Sequence, residues 1–159
     1  MNLTDEFTAL ISGLQEAKVE FAVCGGMAMA LHGFPRFTND IDFLLPTAHL
    51  AAALAAAKNC GFDDEVESLR LGQHSGHPVE IQRINKFREG DFLTLDLVLV
   101  SPILESVWQG RLQFEGSGHS LDVVAAAGLA KMKLLAGRPQ DLLDIQTLGF
   151  ILDDPSIQP

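Results

Sequence analysis

Positive charge is what this chain has least of. Eleven Lys and Arg stand against 21 Asp and Glu, a formal net charge of −10 and a sequence pI of about 4.7. Phosphate backbones attract basic surfaces, so long nucleic acid is a weaker candidate partner than a free nucleotide or a protein. Cysteine is nearly absent too. Cys24 and Cys60 are too few for a disulfide framework, and a reducing cytoplasm is the expected location. No apolar run approaches the roughly 18 residues that cross a bilayer, and the start, MNLTDEF, is acidic rather than basic-then-apolar, so neither a membrane span nor a signal peptide is expected. There is no Gly-x-Ser-x-Gly, no Walker-type loop and no Cys-x-x-Cys. Of the histidines, His32, His49, His74, His77 and His119, no four-ligand set of recognised spacing can be made, and they read as loop residues rather than zinc ligands. No internal repeat or low-complexity segment is present.

What remains is ordinary globular material. With 47% apolar and 20% charged residues over 159 positions, the chain is expected to form a single domain with a real core. Its sheet-forming part is expected over about 19–100 and a helical part over about 120–151.

The most informative stretch is 21–45, FAVCGGMAMALHGFPRFTNDIDFLL. Residues two apart on a strand share a face, so Asp40 and Asp42 aim two carboxylates at one spot while Ile41 and Phe43 turn to the core. Adjacent anions that both stay ionised need a cation, and oxygen-only ligands suit Mg²⁺. Taken alone, Asp-x-Asp also describes a strand ending in solvated aspartates. Upstream, Gly25-Gly26 separates a short apolar strand (19–24) from a short helix (27–32) with Gly33 at its C-cap. Gly26 therefore stands where backbone N–H groups favour phosphate, although a plain tight turn has the same composition.

The remaining elements follow from periodicity. Residues 3–17 form an amphipathic helix with Thr4 as cap, and 47–60 an alanine-rich helix. Strands are expected at 67–71, 79–84 and 92–100. In FLTLDLVLV, Asp96 interrupts an apolar run, and a buried carboxylate there needs a partner unless the strand is an edge. A short helix (103–109), a small strand (111–115), a helix capped by Ser120 and ended by Gly137, and a last helix from Pro139 to about 151 complete the chain, with a frayed tail.

Gly25, Gly26, Ala28, His32, Gly33, Arg36, Thr38, Asp40 and Asp42 match a Gly-Gly-x-Ala-x-x-x-His-Gly-x-x-Arg-x-Thr-x-Asp-Ile-Asp run. On these residues the chain resembles the nucleotidyltransferase (polymerase β-like) superfamily, and within it the minimal bacterial and abortive-infection-type members. The segment KMKLLAGRPQDLLDIQTL resembles their Lys…Ala-x-Arg-x-x-Asp-x-x-Asp segment. The resemblance covers about 19–148. It implies an α/β (α+β) fold, a mixed sheet flanked by helices with further helices at the C-terminus. It implies one or two Mg²⁺ (or Mn²⁺) ions bound by the catalytic Asp40 and Asp42, with a third catalytic acid from a later strand, for which Asp96 is the candidate, completing a second metal site and helping to activate the attacking hydroxyl. It also implies that Gly25, Gly26, Arg36, Thr38, Lys131 or Lys133, and Arg138 approach the nucleotide. For Arg36 a surface role, and for Lys131, Lys133 and Arg138 plain helix-end charge, are open alternatives.

The activity so implied is transfer of a nucleoside monophosphate from a nucleoside triphosphate to a hydroxyl on a protein, an RNA or a small molecule, within a toxin–antitoxin setting. Growth arrest on expression would mark a toxin acting on tRNA. A catalytically silent, antitoxin-like nucleotide binder of the same fold is the alternative. An acidic protein–protein module is a further one. The apolar content leaves room for a homodimer or a protein partner.

Overall fold

The computed structural model describes residues 1–72, 76–116 and 119–159. The fold is built outwards from the Asp-x-Asp strand, here β2 (Asp40–Leu45), in which Asp40 and Asp42 are half-buried and Ile41, Phe43, Leu44 and Leu45 fully buried. On one side β2 runs antiparallel to β1 (Ala22–Val23); on the other it runs parallel to β6 (Asp91–Leu99). A parallel neighbour requires a crossover. That crossover comprises a 3₁₀ turn (Thr47–His49), α3 (Leu50–Asn59), β3 (Asp64–Glu65), β4 (Leu69–Leu71) and β5 (Val79–Arg88). β5 and β6 pair as a hairpin across Glu89-Gly90, whose φ angles of 52° and 86° are the two positive values that a type I′ turn requires.

Among the described residues the sheet has eight strands in the order β3-β5-β6-β2-β1-β8-β7, with β4 on the outer side of β5. β7 (Leu112–Gly116) and β8 (His119–Val123) extend it past β1. The flanking helices are α1 (Leu3–Glu16), α2 (Gly25–Leu31), α4 (Glu105–Gln109, after a 3₁₀ turn at Pro102–Leu104), α5 (Ala126–Ala136) and α6 (Pro139–Thr147). This is the mixed sheet with flanking and C-terminal helices that the resemblance implies. α1 packs on α3, where the small buried side chains Ala53, Ala56 and Ala57 permit a close approach.

Several local expectations are corrected. Asn2, not Thr4, caps α1, its side-chain oxygen accepting from the N–H groups of Thr4 (2.9 Å) and Asp5 (3.2 Å). Ser120 caps no helix. Residues 119–123 form β8, because the whole strand pairs antiparallel with β7 and Val123 also pairs in parallel with Val23; α5 starts six residues after Ser120, at Ala126. Leu121 and Val124, three apart, suit a helical period locally, and the vacant edge of β1 overrides it. α6 ends at Thr147 instead of about 151, stopped by Gly149 at φ 90°. The tail is not frayed: Asp154 caps a 3₁₀ turn (Pro155–Ile157), and Ile157 is fully buried with Ala130 and Ile145. His32 and His119 are not loop residues. His32 caps the end of α2 and its Nε2 lies 2.8 Å from the Val124 carbonyl, while His119 opens β8. His74 falls outside the described residues.

Candidate active site

Strand register builds the site. Asp42 lies opposite Asp96 across the β2–β6 pair, and Asp96 lies opposite Arg83 across β5–β6. Directly paired residues share a face. Three neighbouring strands thus present the row Arg83, Asp96, Asp42, with Asp40 two residues further along the same face. All four line one cleft of about 360 Å³. Gly25, Gly26, Arg36, Thr38, Lys133 and Arg138 also line it. Apolar side chains line it too: Leu69, Leu71 and Ile81 from the sheet and Met132 and Leu135 from α5.

The three carboxylates are not equivalent. Asp96, 6% exposed, accepts from Arg83 with both oxygens, 2.8 Å from Nε and 2.7 Å from one terminal nitrogen. Its expected partner is therefore present, and it is an arginine. Asp40 and Asp42 have no side-chain hydrogen bond or ion pair among the described residues. Burial pushes the Asp42 carboxyl up to about 7; the charges of Asp96 and Asp40 push the same way, against Lys133 and Arg138. Asp40 is raised by burial and then by Asp96, with Arg83, Arg138 and Arg36 opposing. Two raised, unpartnered carboxylates on one face are a donor set suited to a hard divalent cation. Among the described residues no group of three or more His, Cys, Asp or Glu side chains is arranged to hold a metal, and Asp96 is paired with Arg83.

The paired glycines serve a steric need that the sequence reading did not assign. Gly25 has φ 61°, and a Cβ there would lie 1.9 Å from Asp42 Oδ2. A Cβ on Gly26 would lie 2.7 Å from Thr38 Oγ1. The start of α2 thus rests directly on two site side chains. Gly25→Ala is expected to displace the Asp42 carboxylate, lowering transfer at least a hundredfold and stability by about 1–3 kcal/mol. Kinetics beside thermal melts would check this; near-normal turnover would show that the close approach is not needed.

On the far side of the cleft the cations meet acids from α6. Asp144, 2% exposed, accepts from Arg36 Nε (3.0 and 2.9 Å), Lys133 Nζ (2.6 Å) and Gln140 Nε2 (3.0 Å). Burial alone would raise its carboxyl, but the hydrogen bonds from Lys133, Arg36 and Gln140 outweigh that and hold it below the usual range. Asp141 takes Arg138 Nε at 2.7 Å and stands 3.6 Å from Lys133. Arg36, Lys133 and Arg138 are therefore at the cleft, as the sequence suggests, but each is already paired. Lys131 is not brought there. It points towards α4, its Nζ 3.5 Å from Ser106 Oγ. Arg83 and the anchoring roles of Asp141 and Asp144 were not foreseen. Arg83 was within reach: with the hairpin turning at Glu89-Gly90, it lies as far before the turn as Asp96 lies after it.

No curated protein sequence gives a match to this chain. Among solved structures, the antibiotic-resistance factor ANT(2″)-Ia in solution superposes with a TM-score of 0.62 at 13% identity, covering 93% of this chain and 84% of that one. Its crystal complex with adenylyl-2″-tobramycin gives 0.59 at 12% identity, covering 89% and 83%. The lincosamide antibiotic adenylyltransferase LnuA, lincomycin-bound, gives 0.56 at 12% identity, covering 91% and 95%. At such identities the likeness is one of fold. The sequence profile described as nucleotidyl transferase AbiEii toxin, type IV toxin–antitoxin system, matches residues 10–149. With most of its length inside that profile and the carboxylate row in place, the chain belongs to the AbiEii family of nucleotidyltransferases, enzymes of toxin–antitoxin systems.

Proposed function

We propose that the protein transfers a nucleoside monophosphate from a nucleoside triphosphate to a hydroxyl acceptor, with Mg²⁺ or Mn²⁺ held by Asp40 and Asp42. The observation that carries this is the pair of raised, unpartnered carboxylates facing a cleft that Arg36, Lys133 and Arg138 also line. A divalent ion there would neutralise triphosphate charge and polarise the phosphorus centre. The chain's own residues do the rest. Arg138, whose side chain is 70% exposed, is the cation freest to turn from Asp141 towards a phosphate. Lys133, held by Asp141 and Asp144, contributes a fixed positive field at no reorganisation cost. Asp96 is placed to accept the proton of the attacking hydroxyl as its oxygen bonds the α-phosphorus and pyrophosphate departs. The apolar side chains of the cleft suit the uncharged part of a bound substrate.

The acceptor is a protein, an RNA or a small molecule, and the net charge of −10 favours the compact acceptors over long nucleic acid. The ANT(2″)-Ia complex with adenylyl-2″-tobramycin illustrates a hydroxyl acceptor on the same fold. The setting we propose is the cytoplasm, with a partner antitoxin system; among the described residues no helix is long and apolar enough to cross a membrane. Calorimetric titration of the four nucleoside triphosphates with Mg²⁺ into wild type and Asp42→Asn tests the reading. Binding that requires both metal and Asp42 is expected, and wild-type protein that binds none of the four would refute it.

A further inference from the structure

We infer that this site works with one divalent ion, and that Arg83 stands in for a second as a positioning residue for Asp96. The inference rests on the proposed nucleotidyl transfer and adds to it how many ions the site takes and which residue sets that number. With both its oxygens held in the fork of one guanidinium, at 2.8 and 2.7 Å, Asp96 has only its remaining lone pairs to offer an ion. Such charge-assisted, two-point pairing fixes the plane of the carboxylate as well as its charge. An ion on those lone pairs would stand beside the Arg83 guanidinium, and the repulsion between the two cations disfavours it.

The surroundings favour keeping the pair. Asp96 is nearly sealed from water, whereas the Arg83 side chain is 35% exposed and lines the cleft. Arg83 thus faces the reaction space and does more than neutralise a core charge. The fields of Asp40 and Asp42 reach it as well, so it lies among all three carboxylates. One dication with Arg83 matches the three carboxylate charges of the row. Arg36, Lys133 and Arg138 also line the cleft, and of these the exposed Arg138 is the one free to turn to the triphosphate. In this arrangement Asp96 is fixed in plane, with the lone pairs not used by Arg83 open to the neutral acceptor hydroxyl.

The test is an ion count. Wild type, Asp96→Asn and Arg83→Gln are dialysed against Mn²⁺ with a saturating non-hydrolysable triphosphate analogue, and bound Mn²⁺ is read by electron paramagnetic resonance. One ion per chain is expected for wild type, Asp96→Asn should bind that ion within about twofold of wild type, and Arg83→Gln should bind two. Two ions on wild type, or a tenfold weakening in Asp96→Asn, would overturn the inference while leaving nucleotidyl transfer intact. So would a folded Arg83→Gln that still binds one. No ion at all would overturn the inference together with the metal reading beneath it. If Arg83→Gln does not fold, the wild-type and Asp96→Asn counts still decide.

Discussion

Asp42→Asn is expected to abolish nucleotidyl transfer, by roughly a thousandfold or more, and at the same time to make the metal-free protein more stable above pH 7. The two effects share one cause. The Asp42 carboxyl is pushed up to about 7 in the folded chain, against an ordinary value near 3.9 when unfolded. Below about pH 4 both states carry the proton and the residue is neutral with respect to folding. As pH rises from there towards 7 the unfolded chain loses its proton first, so the folded state binds more protons and stability falls. Above about 7 the full penalty is present. Allowing for water at a half-buried carboxylate, it is on the order of 2 kcal/mol. Asparagine carries no such charge, so the variant should gain in melts at pH 8 and nearly match wild type at pH 4. Equal stability of the two proteins at pH 8, in chelator, would show that Asp42 is not under electrostatic strain.

Asp144→Ala should do the opposite and destabilise strongly. It removes the acceptor for Arg36, Lys133 and Gln140 at once and leaves Lys133, 5% exposed, with only the 3.6 Å contact to Asp141. Breaking a buried pair by deleting one partner costs about 3–5 kcal/mol because the other charge stays behind. For a chain of this size that is roughly 10 °C in Tm. Replacing Lys133 by Met in the same protein should recover much of the loss, since the stranded charge is then gone. A urea titration of the single and double variants would measure both, and a single-variant loss under about 1 kcal/mol would mean that the network is not coupled to folding.

How far the sequence was legible depends on the distance over which each feature is decided. β2 was readable because alternation within six residues, Asp40 to Leu45, sets its two faces. Asp96 was readable because one acid inside an apolar run demands a partner. The identity of that partner was not, since it needs the hairpin register that brings Arg83 across. β8 reads locally as helix, since Leu121 and Val124 satisfy a 3.6-residue period, and only the free edge of β1, about a hundred residues away in sequence, makes 119–123 a strand. The start of α2 was placed two residues late because glycines at 25 and 26 read as a turn, whereas their lack of a side chain is what lets the helix begin against Asp42 and Thr38. The cations of α5 and α6 were found, but their tethering by Asp141 and Asp144 is a packing outcome that no short-range pattern displays.

The bridge from Arg36 to Asp144 spans 108 positions, and this has a consequence for the order of events on the ribosome. Domains fold as units while the chain emerges from its N-terminus. Once β6 is out, the residues of the acidic row have all been made, but Lys133, Arg138 and the acids that anchor them are still to come. A partly made chain therefore holds the acids of the cleft without the cations that complete it. For a member of a toxin family, competence is deferred until α6 has docked, so chains stalled before Asp144 have an unfinished cleft.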